Sequence, residues 1–164
     1  MPVREIRLFG DPVLRTVAEP VGPVDASVEA LVADLLDTVQ VPGRAGVAAN
    51  QIGVGLRAFA FNVDGRIGYL LDPVLEETRG EPVAFDEGCL SVPGLVFPTV
   101  RAPWARSTGR QLDGSTVEVI GEGVLAEALQ HEQDHLDGRV YLTRLAPEVR
   151  REAMAQVRRA PWFR

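Results

Sequence analysis

Two histidines and a glutamate lie within one five-residue segment, residues 131–135, and their spacing suits metal chemistry. The preceding residues, 124–129, are mostly apolar and contain neither proline nor glycine, which predicts a helix through the segment. Residues four apart share one face of a helix, so the imidazoles of His131 and His135 can bind the same cation. Glu132 lies beside that cation, where its carboxylate can accept a proton from water. The spacing therefore predicts a metal-dependent hydrolase.

The third protein ligand for such a cation is left open by the residues alone. The sequence has no further histidine, and its one cysteine, Cys89, is the only soft ligand available. A glutamate from a later helix, Glu148 or Glu152, is the alternative and would indicate a metallopeptidase with the His-Glu-x-x-His motif. On its own, Cys89 is typical of a small buried apolar residue, and its importance comes from the two histidines.

The composition is typical of one globular domain, which we take to span residues 1–164. The sequence is 46% hydrophobic and 24% charged, and its net charge of −6 does not favour binding to nucleic acid or to a membrane surface. All basic residues are arginines, which excludes a Schiff-base lysine or a phosphate-loop lysine. A single cysteine excludes an intramolecular disulfide, and no apolar run approaches about 18 residues, so we expect a cytoplasmic protein.

Two further helices are predicted on either side of the histidine segment. Apolar residues recur at helical spacing across residues 26–40, which predicts an amphipathic helix capped by Asp25 or Ser27. Pro147 can open a last helix that reaches about Arg159. The first of these helices is predicted to pack on a core and to have a structural role, and the second is predicted to carry Val149, Ala153 and Val157 on one face.

The remaining elements are predicted to be short strands and turns. We predict strands at residues 4–9, 56–62, 66–71 and 117–120. Asp64-Gly65 predicts a hairpin turn, Asp72-Pro73 the end of a strand, and residues 76–81 a polar connection. The predicted fold class is α+β: a compact single domain of mostly antiparallel short strands packed around the histidine helix, with an N-terminal and a C-terminal helix.

Three motifs follow one another along the sequence. They are Gly46-Val47-Ala48-Ala49-Asn50-Gln51, Glu87-Gly88-Cys89-Leu90-Ser91 and Gln130-His131-Glu132-Gln133-Asp134-His135-Leu136-Asp137-Gly138. In this order and spacing they resemble the motifs of the peptide deformylase family, and the likeness covers most of the sequence. The resemblance implies a hydrolase that removes the formyl group from the N-terminal methionine of newly made bacterial and organellar proteins.

The resemblance also implies a metal and the residues around it. Cys89, His131 and His135 would hold one divalent ion, with Glu132 as the general acid and base. Iron(II) is the metal implied in the cell, and zinc, nickel or cobalt can take its place. The implied donors to the developing oxyanion are the side-chain amide of Gln51 and the backbone N–H of Leu90. The residues implied as an ion pair that braces the cysteine loop are Glu87 and Arg101.

The substrate is expected to bind beside this metal. Substrate-binding positions are predicted at Gly46, Val47, Gly88, Val124, Glu127 and Ala128. Helix spacing puts the last three on the metal-facing side, where Val124 and Ala128 suit an apolar methionine pocket and Glu127 lies at its edge beside an arginine. The expected partners are formyl-methionyl nascent chains and the ribosome that makes them, with no direct readout of nucleic acid and no membrane.

Two residues depart from what such a site would be expected to contain. Arg44 replaces the first glycine of the family's loop, and would be strained by about 1–2 kcal/mol if that position required a left-handed backbone. Glu127 adds a carboxyl group to an apolar pocket. Both motivate an alternative hypothesis, a homologue that binds formylated N-termini or a metal without turnover.

Overall fold

Two antiparallel sheets and three α-helices make up the fold of residues 3–164, which are the residues that the computed structural model describes. The helices are α1 (Ala26–Val39), α2 (Val124–Leu136) and α3 (Pro147–Arg159). The strands are β1 (Gly46–Ala48), β2 (Ala58–Val63), β3 (Arg66–Arg79), β4 (Val83–Cys89), β5 (Val92–Arg101), β6 (Trp104–Arg110) and β7 (Thr116–Glu122). Within this range, no helix combines the length and the apolar composition needed to cross a membrane.

The larger sheet lies between α1 and α2. Its strands run in the order β1-β2-β3-β6-β7, while β4 and β5 form a separate hairpin. Side chains alternate along β2, so Phe59 and Phe61 pack with α2 whereas Ala58 and Ala60 pack with α1. Most residues of α2, which carries the histidine motif, are buried. The predicted α+β class, with antiparallel strands around this helix, is confirmed.

The three predicted helices form where the residue spacing indicated. Asp25 caps α1, because its carboxylate accepts two backbone hydrogen bonds from the first turn. After α2, Gly138 has φ +75°, a left-handed conformation that glycine adopts without strain. Pro147 begins α3, which buries Ala153 and Val157. These boundaries were predictable because capping residues act within a few positions of the helix end.

Residues 4–9 do not form the predicted strand. Their backbone groups bond to separate partners: the N–H of Arg7 donates to the carbonyl of Gln51 at 2.7 Å, and that of Phe9 donates to the carbonyl of Ser91 at 2.8 Å. A strand requires successive bonds to one neighbour, whereas this segment joins two loops that are distant in sequence. It therefore ties the loop of the first motif to the loop of the second.

Strand β3 continues through Asp72-Pro73, where we predicted its end. Asp72 has a left-handed φ of +47°, and the register with β6 shifts between Leu71 and Val74 and again between Leu75 and Glu77. These irregularities accommodate a proline, which has no N–H to donate to a neighbouring strand. Most of the segment predicted as a polar connection is consequently strand. Strand β4, which ends at Cys89, was not predicted either.

Candidate metal centre

Cys89, His131 and His135 meet at one point of the structure. Cys89 ends β4, and both histidines project from α2. The Sγ atom of Cys89 lies 3.3 Å from Nε2 of His135, which in turn lies 3.1 Å from Nε2 of His131. All three residues are buried, and their ligand atoms lie within 4.8 Å of one another. The structure thus brings the three predicted ligands together, although 46 positions separate Cys89 from His135.

The spacing of this cluster fits one divalent transition-metal ion. On a tetrahedral ion with typical zinc bond lengths, two imidazole nitrogens lie about 3.3 Å apart and a thiolate lies about 3.5 Å from each nitrogen. The observed separations of 3.1 Å and 3.3 Å are only slightly shorter. Three lone-pair donors at such distances repel one another unless a cation or a proton lies between them. A thiolate with two imidazoles suits iron(II), cobalt, nickel or zinc rather than a hard cation.

The pKa values of the two imidazoles shift in opposite directions. Burial disfavours a charged ring at His131, but hydrogen bonds with Cys89 and Glu87 outweigh it and raise the pKa of His131 well above the usual value. Burial and the neighbouring charge of His131 lower the pKa of His135 well below that value. Because the Nε2 atoms face each other at 3.1 Å, only one proton fits between the rings. A metal ion would replace that proton, as is usual when histidines bind metal.

Glu132 lies beside the cluster with one carboxylate oxygen unbonded. The residue is 3% exposed, and among the described residues nothing hydrogen-bonds to its Oε2. Burial raises the pKa of Glu132 to about 7. Gly46 of β1 packs directly against this side chain: a Cβ atom added to Gly46 would lie 2.5 Å from Oε1. Glycine at this position therefore lets Glu132 occupy its place beside the cluster.

Gln51 directs its side-chain amide at the cluster. Its Oε1 accepts a hydrogen bond from the backbone N–H of Ala48 at 3.0 Å, which fixes the side chain. Its Nε2 lies 3.1 Å from Oγ of Ser91 and 3.6 Å from Sγ of Cys89. Leu90, the other predicted donor, lies in the turn after β4 and borders a cavity that opens beside the cluster. Ser91 was not predicted to contribute, although its position in the second motif was a signal.

The predicted pair of Glu87 and Arg101 is a buried ion pair. Arg101 donates from Nε and Nη2 to the two carboxylate oxygens of Glu87, at 2.9 Å and 2.7 Å. Oε1 of Glu87 also lies 2.5 Å from Nδ1 of His131. Burial opposes ionisation, but the hydrogen bonds from Arg101 and His131 outweigh it and lower the pKa of Glu87. The pair therefore contacts a histidine ring directly, which the sequence did not predict.

A cavity of about 710 Å³ opens beside the cluster. The predicted substrate positions that line it are Gly46, Gly88, Val124, Glu127 and Ala128. Val47, which we also predicted to bind substrate, does not line the cavity, because it is fully buried in the core beneath α1. The reason is the alternation of a strand, which turns Val47 to the opposite face of β1 from Gly46.

Arg44 and Glu127, the two residues that differ from what such a site was expected to contain, both line this cavity. Burial raises the pKa of Glu127 to about 7, an effect that the charge of Arg101 opposes. Among residues 3–164 no arginine forms a salt bridge with Glu127, contrary to our prediction. Arg44 is not strained: the left-handed residue here is Gly43, with φ +88°, and Arg44 does not have a positive φ. Its Nη1 donates to the carbonyl of Thr38 at 2.9 Å, in the last turn of α1. The expected strain cost is therefore absent.

The alternative glutamate ligands lie elsewhere. Glu148 and Glu152 are exposed on α3, and Glu152 accepts a hydrogen bond from Gln156. The group of potential metal ligands found within residues 3–164 contains neither glutamate. A metallopeptidase centre built on either residue is therefore not supported.

Two buried residues outside the predicted set support the histidines. The side-chain amide of Asn50 donates to the backbone carbonyl of His135 at 2.5 Å. The ring of Tyr141 stacks on that of His131, with centroids 6.1 Å apart. The first motif contained a signal for Asn50, because it adjoins Gln51. Tyr141 had none, since its contact depends on how the backbone turns after α2.

The sequence is similar to known proteins along its whole length. Residues 3–151 match the family model described as polypeptide deformylase. A peptide deformylase of Acidothermus cellulolyticus is 49% identical over 162 residues, covering 99% of this chain and 89% of that protein. One from Mycolicibacterium paratuberculosis is 45% identical over 179 residues, covering 99% and 91% respectively.

Solved structures give the same result. A peptide deformylase crystal structure from Legionella pneumophila superposes with a TM-score of 0.89 at 35% identity, covering 96% of this chain and 95% of that one. The Ehrlichia chaffeensis peptide deformylase, in complex with actinonin, gives a TM-score of 0.88 at 32% identity and covers 99% of both chains. With a matching family model, relatives nearly half identical and the same fold, the chain belongs to the peptide deformylase family.

Proposed function

We propose that this protein removes the formyl group from the N-terminal formyl-methionine of nascent polypeptides by hydrolysis and releases formate. The observation that carries the proposal is that Glu132, Cys89 and His131 line one cavity in a member of the peptide deformylase family. Amide hydrolysis of this kind needs a Lewis acid, a general base and room for the substrate beside both.

One divalent metal ion would be held by Sγ of Cys89 and by the Nε2 atoms of His131 and His135. When bound, such an ion polarises the formyl oxygen and lowers the pKa of the attacking water. We propose iron(II) as the metal used in the cell, with zinc, nickel or cobalt as possible replacements. The soft thiolate and the two imidazoles support this range of metals.

Glu132 moves the proton in both halves of the reaction. It accepts a proton from water as the water oxygen bonds to the formyl carbon, and later delivers it to the amine nitrogen as the C–N bond breaks. A general acid and base works best when its pKa lies near the working pH, and the pKa of about 7 supports this role. The products are formate and a free N-terminal amine.

Gln51 and Leu90 would stabilise the negative charge that develops on the formyl oxygen. Nε2 of Gln51 faces the cluster, and its bond from Ala48 fixes its direction before substrate arrives. Leu90 would contribute its backbone N–H from the turn after β4. Donors that are already oriented need no reorganisation during the reaction, which is what makes them effective.

The methionine side chain would bind in the cavity against α2. Val124 and Ala128 offer apolar surface there, and the partly buried carboxyl of Glu127 lies between them in sequence. Gly46 and Gly88 lack side chains, which allows the peptide backbone to approach the cavity wall. The burial of Glu132 and the apolar residues beside it support a substrate that enters with its formyl group first.

The partners would be formyl-methionyl nascent chains, which the enzyme meets at the ribosome. We place this reaction in the cytoplasm, where reducing conditions preserve a single thiolate such as that of Cys89. Residues 1–164 would act as one domain, since the β-sheet, α2 and the cysteine hairpin each contribute to the cavity.

Formate release from formyl-Met-Ala-Ser by nickel- or iron(II)-loaded protein tests the proposal. We expect turnover by the wild type and a loss of about 10²-fold or more in Glu132→Gln, because the proton carrier is removed. Fully metallated wild type that releases no more formate than Glu132→Gln would reject the proposal. Tight binding of a formyl-peptide analogue without formate release would select the non-catalytic homologue instead.

A further inference from the structure

A line of buried charges begins at the outer nitrogen of a proposed metal ligand. Nδ1 of His131 faces Oε1 of Glu87 at 2.5 Å. Arg101 donates to both carboxylate oxygens of Glu87, with Nη2 on the same Oε1 at 2.7 Å. Oε1 is therefore shared between the imidazole and the guanidinium. Any movement of Arg101 alters the contact that orients the ring.

The line continues to the protein surface through α2 and the turn after it. Nη1 of Arg101 donates to Oδ2 of Asp134 at 2.7 Å. Arg144 holds the same carboxylate with two bonds, from Nε to Oδ2 at 3.0 Å and from Nη2 to Oδ1 at 2.7 Å. Asp134 is 6% exposed, whereas the side chain of Arg144 is 43% exposed. We call these five side chains, His131, Glu87, Arg101, Asp134 and Arg144, the ionic network.

We propose that Asp134 and Arg144 are positioning residues for the imidazole of His131, acting through Arg101 and Glu87. Neither residue lines the substrate cavity or belongs to the ligand cluster, so neither can touch the metal or the substrate directly. The inference rests on the proposed function, because it concerns a proposed metal ligand. Its measurable consequence is the affinity of the site for metal.

The alternating charges of the ionic network explain how a change at Asp134 would alter the orientation of His131. The network contains two carboxylates and two guanidiniums, and each buried charge has an opposite charge in contact. If Asp134 is made neutral, Nη1 of the buried Arg101 loses its ionic acceptor. Glu87 is then the remaining carboxylate within reach of Arg101. The guanidinium competes more strongly with His131 for Oε1, and the ring loses the bond that orients its Nε2.

Arg144 contributes geometry as well as charge. Its planar guanidinium holds Asp134 with a two-bond fork, which a lysine ammonium cannot reproduce. Removing the fork allows the Asp134 carboxylate to rotate away from Arg101. We therefore expect the effect of Arg144→Lys to fall between those of the wild type and Arg144→Gln.

A purely structural role for the same network makes a different prediction. In that case loss of Asp134 would weaken the attachment of α2 and lower the melting temperature, without a specific effect on His131. Asp137→Asn is the matched control, because Asp137 follows the same helix and pairs with Arg57 at 2.8 Å, outside the ionic network. It removes one carboxylate from the end of α2 by the same chemical change.

Zinc affinity, measured by chelator competition on the folded full-length protein, is the first test. Loss of an outer partner of a ligating histidine typically weakens metal binding about 10- to 100-fold, and we expect about tenfold for Asp134→Asn. Arg144→Gln should weaken binding about threefold to tenfold, and Asp137→Asn should leave it unchanged. Unchanged affinity in both Asp134→Asn and Arg144→Gln would overturn the proposal. If Asp134→Asn does not fold, the exposed position of Arg144 makes Arg144→Gln decisive.

Histidine NMR on the zinc-loaded protein is the second test. The sequence contains only two histidines, so ¹⁵N-histidine labelling reports on His131 and His135 without overlap. We expect the Nδ1–H resonance of His131 to shift in Asp134→Asn and in Arg144→Gln, but not in Asp137→Asn. Wild type that binds no zinc would refute the proposed ligand set, whereas normal zinc binding with unshifted variants would refute this inference alone.

Discussion

Replacing Gln51 with leucine removes two hydrogen-bonding functions from opposite sides of one amide. Oε1 accepts the backbone N–H of Ala48 at 3.0 Å, and Nε2 faces Sγ of Cys89 at 3.6 Å and Oγ of Ser91 at 3.1 Å. Leucine has a similar volume, so the cavity wall is kept while both functions are lost. The first function concerns stability and the second concerns the reaction, and they can be measured separately.

The expected magnitudes follow from the burial of each group. Gln51 is 1% exposed and Ala48 is fully buried, so the Ala48 N–H would be left without an acceptor, at a cost of about 1–3 kcal/mol in the free energy of unfolding. For a protein of this size, each kcal/mol corresponds to a change of about 2–4 °C in the melting temperature. Loss of one donor to a developing oxyanion typically lowers kcat by about 10²–10³, or about 2.7–4 kcal/mol of barrier.

Formate release and thermal unfolding of the nickel protein provide the assay. Gln51→Leu should lower kcat by about 10²–10³ with a much smaller change in KM, because the donor acts on charge that develops during the reaction. Thr38→Val is the control: Thr38 is fully buried and its side chain accepts the backbone N–H of Arg4 at 2.9 Å. Thr38 neither lines the cavity nor belongs to the ligand cluster. This variant should lose some stability and keep its kcat. A fall in kcat of less than about tenfold in Gln51→Leu, or an equal fall in Thr38→Val, would refute the reasoning.

Four further perturbations address the base, its packing and the metal. Gly46→Ala places a Cβ 2.5 Å from Oε1 of Glu132, so kcat should fall about tenfold or more while metal content, measured by elemental analysis, stays at one ion per chain. Glu132 accepts a proton only when ionised, and burial raises its pKa from 4.5 to about 7, so kcat/KM should rise with pH. Because a bound cation lowers the pKa of Glu132, we expect the midpoint of this rise to lie between pH 4.5 and 7. A midpoint below pH 4.5 would contradict the role of Glu132. Cys89→Ala should reduce zinc affinity, measured by chelator competition, by at least about tenfold, and an affinity equal to that of the wild type would exclude the thiolate as a ligand. The iron(II) protein should lose activity in air faster than the nickel protein, and equal lifetimes would argue against an oxidisable iron–thiolate pair.

Local patterns in the sequence were sufficient for the helices and for the core of the candidate site. The spacing of His131 and His135 predicted that their rings share one face of α2, because helix geometry relates residues four apart whatever surrounds them. Capping by Asp25 and the left-handed glycine after α2 follow from the same short-range geometry. Cys89 was a candidate ligand because it is the only cysteine, but the order of the three motifs was needed to prefer it to Glu148 and Glu152, since a lone cysteine carries no information about a partner more than 40 positions away.

Tertiary packing decided what each of these residues touches. Side-chain alternation in β1 directs Val47 into the core and brings Gly46 against Glu132, and β1 itself is too short to be recognised from its sequence. Strand β3 passes Asp72-Pro73 because β6 pairs with it beyond the irregularity, which local propensity cannot reveal. The contacts of Arg144 with Asp134 likewise depend on the path of the backbone after α2.

The amino-acid sequence by itself determined the chemical groups available and the local geometry of the helix that carries two of them. Only the tertiary structure decided which buried charges face each other, that Glu127 stays unpaired within residues 3–164, and that Arg44 binds the end of α1 without strain. The physical reason is range: helix spacing and capping act over a few residues. The direction of a buried side chain, in contrast, depends on every element packed around it.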